Sequence, residues 1–373
     1  MKHSQLSAAI VALFVATTSL AQPTEVNSRR ASGGMSTEFK NHRLEPAKDP
    51  VPLPTINEPS AAQKRIIDQA HRMFENNQGA LSILIVDRGQ ILFERYRAPA
   101  TEKTAQFSWS MSKSLTAYTI GNMLCEGKIA NLDDPAKKYA PELEGTVQGD
   151  ASVRNLLTMS SGARESVGGG NSYKTPDTDD WMDTRAGKFS GMEIVRKFGA
   201  RDIPSGQEFR YLGNDTQALN AVAQNRGGLI QNFDQYIWKQ ARTENPGYWL
   251  LDRDGWAVSQ AGFSATTRDW ARLAMQAIRM QKASSSCVQD FMRSATTQQI
   301  RNRTKRSGKV FDGYGYQTWT NPNFGDRKSY WWVGYGGQRV GVDPAKERII
   351  IVSSWREDYM PEVYDLFTNL QKM

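Results

Sequence analysis

The sequence predicts an α/β (α+β) fold: an antiparallel sheet flanked by helices and drawn from both ends of the chain, with a mostly helical domain inserted between them. Three observations predict it. β-Branched runs gather at residues 80–97 and 314–355, and helical periodicity broken by Gly- and Pro-rich loops fills the middle. The third is bulk: 39% hydrophobic and 10% aromatic content over 373 residues can bury one large core or two smaller ones.

The opening MKHSQLSAAIVALFVATTSLAQ has a basic start, an apolar run from Leu6 to Val15 and small residues at Ser19 and Ala21, the layout of a secretory signal peptide over residues 1–21. That run is too short to span a bilayer, and no later stretch reaches the roughly 20 apolar residues a span requires. A periplasmic or secreted protein without a transmembrane segment is expected. Residues 22–60, with four prolines in DPVPLPTINEP, show no period and read as an extended arm on the surface.

SAAQKRIIDQAHRMFENNQG follows, a helix capped by Ser60, with apolar Ile66, Ile67, Ala70, Met73 and Phe74 and a stop at Gly79. ALSILIVDRGQILFERYR is a hairpin turning at Asp87-Arg88-Gly89. After the helix TTRDWARLAMQAIRM, strands return at YGYQTWT, SYWWVGYGG, QRVGVDP and ERIIIVSSW, and a helix closes the chain from Glu362 to Gln371. Residues 61–130 and 266–373 thus form a discontinuous α/β domain, and 131–265 the helical one.

Cys125 and Cys287 are too few for a disulfide framework and read as two separate buried thiols. The formal charge of +8 is densest in RNRTKRSGK, residues 301–309, which reads as a surface loop. An exported chain with that pattern needs no nucleic-acid partner. The acidic PDTDDWMD, residues 176–183, lacks the glycine and terminal glutamate of a calcium loop, so no metal is expected.

Chemistry concentrates in FSWSMSKSLTAY, residues 107–118, where Ser110 precedes Lys113 by one helical turn. A serine nucleophile needs a base, usually histidine. Here His3 leaves with the leader, His42 lies in the arm, and His71 sits in the first helix; no Gly-x-Ser-x-Gly elbow exists. Zinc spacings, phosphate loops and dinucleotide fingerprints are missing as well, and no cofactor is expected. Lys113, desolvated beside Ser110, can fill the vacant role, and the helix N-terminus favours an oxyanion.

Beyond that pair, SWSMSKSLTAYTIGNMLCEGKIANLDDPAKKYAPEL resembles the serine β-lactamase and penicillin-binding protein superfamily, in the branch holding class C β-lactamases, β-lactamase-like esterases and 6-aminohexanoate-dimer hydrolases. VRNLLTMSSGA, IPSGQEFRYLGNDTQALNAVAQ, AGFSATTRDWARLAM, YGYQTW and VGYGGQRVGVDPAKERIIIV continue the resemblance in order, up to residue 352. It implies a β-lactamase/transpeptidase-like fold and a small-molecule ester, amide or peptide substrate. It also implies that Ser110 is acylated, Lys113 and Tyr211 shuttle the proton, and the N–H groups of Ser110 and Gln338 hold the oxyanion.

The third family motif falls at Tyr335-Gly336-Gly337, whose glycines would let substrate approach a strand edge, and Tyr173 corresponds to a substrate-contacting tyrosine of the helical domain. Trp109 and one of Trp331 and Trp332 are candidates for an apolar wall, since strand alternation sends the last two to opposite faces. Trp331 is the one expected at the site. Two departures bear on substrate: Asn214 is displaced by one position from the class C Tyr-x-Asn pattern, and Tyr335 replaces the lysine that binds a β-lactam carboxylate. An esterase or 6-aminohexanoate-oligomer-type amidase is the first expectation, with a β-lactamase, a D-amino-acid peptidase or a non-catalytic binder of peptidoglycan fragments as alternatives.

Overall fold

Ser60 begins the first helix because its hydroxyl accepts from the Gln63 N–H while the Gln63 side chain accepts from the Ser60 N–H, a reciprocal cap at 3.3 and 2.9 Å. A computed structural model describes residues 40–164, 189–197, 200–284, 286–303 and 310–373. The leader, Tyr173, the acidic segment 176–183 and the basic residues 304–309 lie outside these.

In chain order, β1 (Asn41–Leu44) precedes α1 (Ala61–Asn76), and the hairpin of β2 (Ala80–Asp87) and β3 (Gln90–Tyr96) follows. Arg88 and Gly89 take φ of 50° and 80°, the left-handed pair that a two-residue hairpin turn requires. Strand β4 (Ala105–Phe107) leads through a tight turn, Trp109–Met111, into α2 (Ser112–Cys125). Then come α3 (Gly213–Gln224), β5 (Gly247–Leu250), β6 (Phe263–Thr266), α4 (Thr267–Lys282) and α5 (Ser286–Ala295). The chain ends with β7 (Ile300–Arg301), β8 (Phe311–Tyr314), β9 (Trp319–Pro322), β10 (Tyr330–Gly334), β11 (Gln338–Asp343), β12 (Arg348–Ser354) and α6 (Met360–Lys372).

The main sheet is antiparallel with strand order β3-β2-β12-β11-β10-β9-β8-β7, so it joins both ends of the chain as the sequence predicts. Its central strands are buried along their whole length. Alternation explains why: Leu84, Val86, Val340, Val342, Ile349 and Ile351 enter the core shared with α2 and α4, while Ile83, Ile85, Ile350 and Val352 enter the core shared with α1 and α6. Helices therefore cover both faces of the sheet. A smaller sheet, β1-β5-β6-β4, braces the approach to α2.

Helix α2 lies inside this packing, with every residue from Ser112 to Gly121 buried. Its hydroxyls are satisfied locally or by neighbours: Thr116 Oγ1 donates to the Ser112 and Ser259 carbonyls, Ser114 Oγ to Gln317 O, and Tyr118 OH pairs with Thr318 Oγ1 at 3.0 Å. A Cβ added at Gly121 would meet the Phe291 ring of α5 at 2.3 Å. Gly121→Ala is expected to lower stability by about 1–3 kcal/mol through overpacking, read as a lower denaturant midpoint at unchanged m-value.

Three expectations require correction. The arm is not wholly unstructured surface chain, because Asn41–Leu44 pairs antiparallel with β5. YGYQTWT is not one strand; the chain turns at 315–318, where a side chain on Gly315 would strike the Ala295 carbonyl, and β8 and β9 pair with each other. The cysteines are not separate thiols: Cys125, ending α2, and Cys287, in the first turn of α5, form a disulfide with Cα atoms 5.7 Å apart. Packing of α5 against α2 brings them together across 162 residues of chain.

Candidate active site

Ser110 occupies the tight turn that enters α2, and it follows Trp109, held at φ 49°. A bulky residue in the left-handed region is strained, a feature that gathers at functional sites. Trp109 is buried between Phe107 and Tyr335, with ring centroids 5.4 and 5.2 Å away. The strained turn leaves Ser110 partly exposed at the mouth of a buried helix.

One turn on, Lys113 is only 4% exposed. Its Nζ donates to Ser110 Oγ at 2.9 Å and to the Gln260 carbonyl at 2.6 Å, and it lies 5.1 Å from the centre of the Tyr211 ring. The serine, the lysine and the tyrosine anticipated from the sequence therefore meet in one place. A lysine in hydrogen-bond contact with a hydroxyl is placed to exchange a proton with it.

Tyr211 precedes α3 and rests on an aromatic bed: Trp319 lies 5.3 Å away, Tyr314 and Phe209 each 6.3 Å. The Tyr211 segment is held from below, since Arg210 N–H donates to Met159 O and Gly206 N–H to Ser160 O. Asp215, on the first turn of α3, accepts from Ser161 N–H and from the Gln148 side chain, both at 3.3 Å. Asn214, beside it, is buried in the same turn.

Complete burial pushes the Asp215 carboxyl up to about 7, although the hydrogen bonds from Ser161 and Gln148 oppose this. The sign follows from proton uptake: between about pH 4 and 7 the folded chain holds a proton that the unfolded chain has released, so folding stability falls as pH rises through that window and levels off above it. Asp215→Asn is expected to remove this slope. Urea midpoints of both proteins at about pH 5 and pH 8 check it, the variant gaining relative to the parent at the higher pH.

The β10–β11 hairpin forms the other side of the site. Gly334 lies so close to the preceding turn that a Cβ there would meet the Ser108 carbonyl at 2.2 Å. Strand β10 pairs with β9 only at Tyr330 and Trp331, so from Trp332 to Gly334 this edge has no strand partner and lies beside the turn that leads to Ser110. Tyr335, 61% exposed, follows directly.

Several sequence assignments change here. Gln338 cannot offer its N–H to a substrate, because the residue is fully buried and paired with Gly334 across the hairpin, its side chain bound to Ser353, Ser354 and the Tyr335 carbonyl. Gly336 and Gly337 are turn residues at φ 73° and 92°; Gly337 packs on the Arg356 carbonyl, whereas Gly334 is the glycine that packs on the turn carrying Ser110. Trp331 is fully buried against Tyr364 and Phe367 of α6, while Trp332 is buried on the opposite face and donates to Tyr118 OH. Neither indole lines the site. Alternation places them on opposite faces correctly, but helices cover both.

Sequence reasoning also missed Gln260, whose contribution is a backbone carbonyl and so carries no side-chain signature. Among the described residues no group of three or more His, Cys, Asp or Glu is placed to hold a metal ion. No described helix is long and apolar enough to cross a membrane.

Comparison with known proteins agrees with this architecture. A family model described as Beta-lactamase matches residues 68–371. The 6-aminohexanoate-dimer hydrolase of Paenarthrobacter ureafaciens is 24% identical over 330 residues, covering 84% of this chain and 81% of that one. A Bacillus anthracis structure provisionally described as a 6-aminohexanoate-dimer hydrolase superposes with a TM-score of 0.75 at 17% identity, covering 93% of both chains. A hydrolase with promiscuous acyltransferase activity superposes at 0.65 and 14% identity, over 83% of this chain and all of that one. Since the matching model runs from the first helix to the last, the chain belongs to the Beta-lactamase family and is a hydrolase of that fold.

Proposed function

We propose that this protein is a serine hydrolase that cleaves an ester or amide bond through an acyl-enzyme on Ser110. The observation that carries the reading is the 2.9 Å contact between Lys113 Nζ and Ser110 Oγ in a pocket shared with Tyr211. As Ser110 Oγ bonds to the substrate carbonyl carbon, its proton passes to the Lys113–Tyr211 pair and the carbonyl oxygen becomes negative. The N–H groups of Ser110 and Tyr335 hold that charge. Collapse of the tetrahedral species expels the alcohol or amine, which takes the proton. Water then attacks the acyl-enzyme by the reverse sequence and frees Ser110.

Tyr335 replaces Gln338 as second oxyanion donor in this reading because it is exposed and follows the end of β10 that lies beside the Ser110 turn. The relatives named above support hydrolysis of an amide or transfer of an acyl group. The leader-like opening and the disulfide support an exported protein, since disulfides persist in oxidising compartments.

With the oxyanion donor at Tyr335, the first position of the motif, where a β-lactam carboxylate would require a cation, falls on the buried, uncharged Trp332. Losing a charged hydrogen bond, at about 1.5–3 kcal/mol, costs nitrocefin roughly 10- to 100-fold in kcat/KM relative to a site with the cation, so a short p-nitrophenyl ester is expected to be the better substrate. Assays on both, together with a D-alanyl peptide and the linear 6-aminohexanoate dimer, rank the substrate classes. Fluorophosphonate labelling tests the reading itself: uptake that Ser110→Ala abolishes supports it, and a protein that binds such compounds without labelling refutes it.

A further inference from the structure

We propose that Arg339 is a positioning residue that aims and polarises the Gly334–Tyr335 peptide, turning its N–H into an effective oxyanion donor. The inference rests on the serine-hydrolase reading above.

Arg339 projects from β11 into the interior and is 5% exposed. Its Nη1 donates to the Gly334 carbonyl at 2.7 Å and to the Gln338 carbonyl at 2.9 Å, and its Nε donates to Tyr364 OH at 3.1 Å. Glu357 lies 3.6 Å from its Nη2 and accepts from the Gly337 N–H at 3.2 Å. One buried guanidinium thus ties together the two residues that close the hairpin, and its acidic neighbour holds the turn between them.

The consequence follows from peptide geometry. The Gly334 carbonyl and the Tyr335 N–H belong to the same planar trans unit and point in opposite directions. Anchoring the carbonyl on Arg339 in the interior directs the N–H the other way. Gly334 packs on the Ser108 carbonyl, which sets this peptide beside the turn that carries Ser110. A charge-assisted bond to the carbonyl also draws electron density from the amide nitrogen and strengthens its N–H as a donor, most of all where little water screens the charge. The guanidinium does not touch substrate. Its positive charge is felt through the peptide bond.

The test uses the full chain labelled with ¹³C′-glycine and ¹⁵N-tyrosine, so that only the four Gly-Tyr peptides (247–248, 313–314, 315–316 and 334–335) give carbonyl-correlated amide signals. The Tyr335 signal is identified by its loss in Tyr335→Phe. In Arg339→Gln the Tyr335 amide proton is expected to move upfield. The acylation rate per titratable serine should fall about tenfold or more, short of the roughly 10²–10³-fold that outright loss of an oxyanion donor costs. Arg339→Lys, which keeps the charge, should recover part of both. Counting titratable serines removes misfolded molecules from the rate, so a merely structural role lowers the count and leaves the rate alone.

An unmoved Tyr335 resonance, or a per-site rate within about twofold of the parent, overturns the proposal. Should Arg339→Gln yield no titratable sites, Arg339→Lys carries the same two readouts against the parent chain, with a smaller shift and a smaller rate loss expected. A parent chain that never labels at Ser110 defeats the hydrolase reading, and the oxyanion role with it, whatever the resonance does.

Discussion

Lys113→Met is expected to lower kcat/KM by about 10²–10⁴-fold, the range assigned to a positioned proton-transfer group, while KM changes little. Methionine matches the length of the lysine stem and fits a buried site, but it has no nitrogen to exchange a proton with Ser110 Oγ or to donate to the Gln260 carbonyl. The fold should survive, because Lys113 lies in a helix whose remaining buried residues still pack as before. Near-ultraviolet circular dichroism and the number of folded molecules separate lost chemistry from lost structure. A variant retaining activity within about tenfold would assign the base to another group.

Loss of the disulfide should produce the largest change in stability. Cross-linking residues 162 apart restricts the unfolded chain by about 5 kcal/mol in the loop-entropy estimate, with about 2–5 kcal/mol typical when a native bridge is removed. The double variant Cys125→Ala/Cys287→Ala is therefore expected to lose about 2–5 kcal/mol, measured by denaturant unfolding beside the parent chain. Equal midpoints would show that packing of α5 on α2, with Phe291 against Gly121, holds that corner without the bridge. Activity at low temperature should persist, because Ser110 and Lys113 lie at the far end of α2 from Cys125.

How much of this was legible in the sequence depended on the range of the interaction. The Ser60 cap, the turn at Arg88-Gly89 and the Ser110–Lys113 pair each involve residues within one turn of backbone, and all three stand as read. Tyr211 came from the resemblance, and only the fold shows why it arrives beside Lys113: the strands carrying Tyr314 and Trp319 form the bed beneath it. The disulfide was missed because nothing local to Cys125 or Cys287 records that α2 and α5 pack together.

The third motif illustrates a different limit. Its residues were found, but its register was not, because the pattern Gly-Tyr-Gly-Gly-Gln does not say where strand ends and turn begins. In the proposed mechanism the oxyanion donor lies three residues earlier, at exposed Tyr335 in place of buried Gln338, and Gly334 is the glycine packed on the turn that carries Ser110. The cation behind that peptide, Arg339, reads in sequence as an ordinary strand residue. The role proposed for it rests on the hydrogen bond it makes across the hairpin.

The most direct measurement is covalent: the chain is mixed with a p-nitrophenyl ester, quenched in acid within the first turnovers, digested with pepsin and mapped by mass spectrometry. The account predicts one acyl mass on the peptide containing Ser110 and none in Ser110→Ala. Turnover with no acyl mass on that peptide, or with the acyl group on another residue, would contradict it.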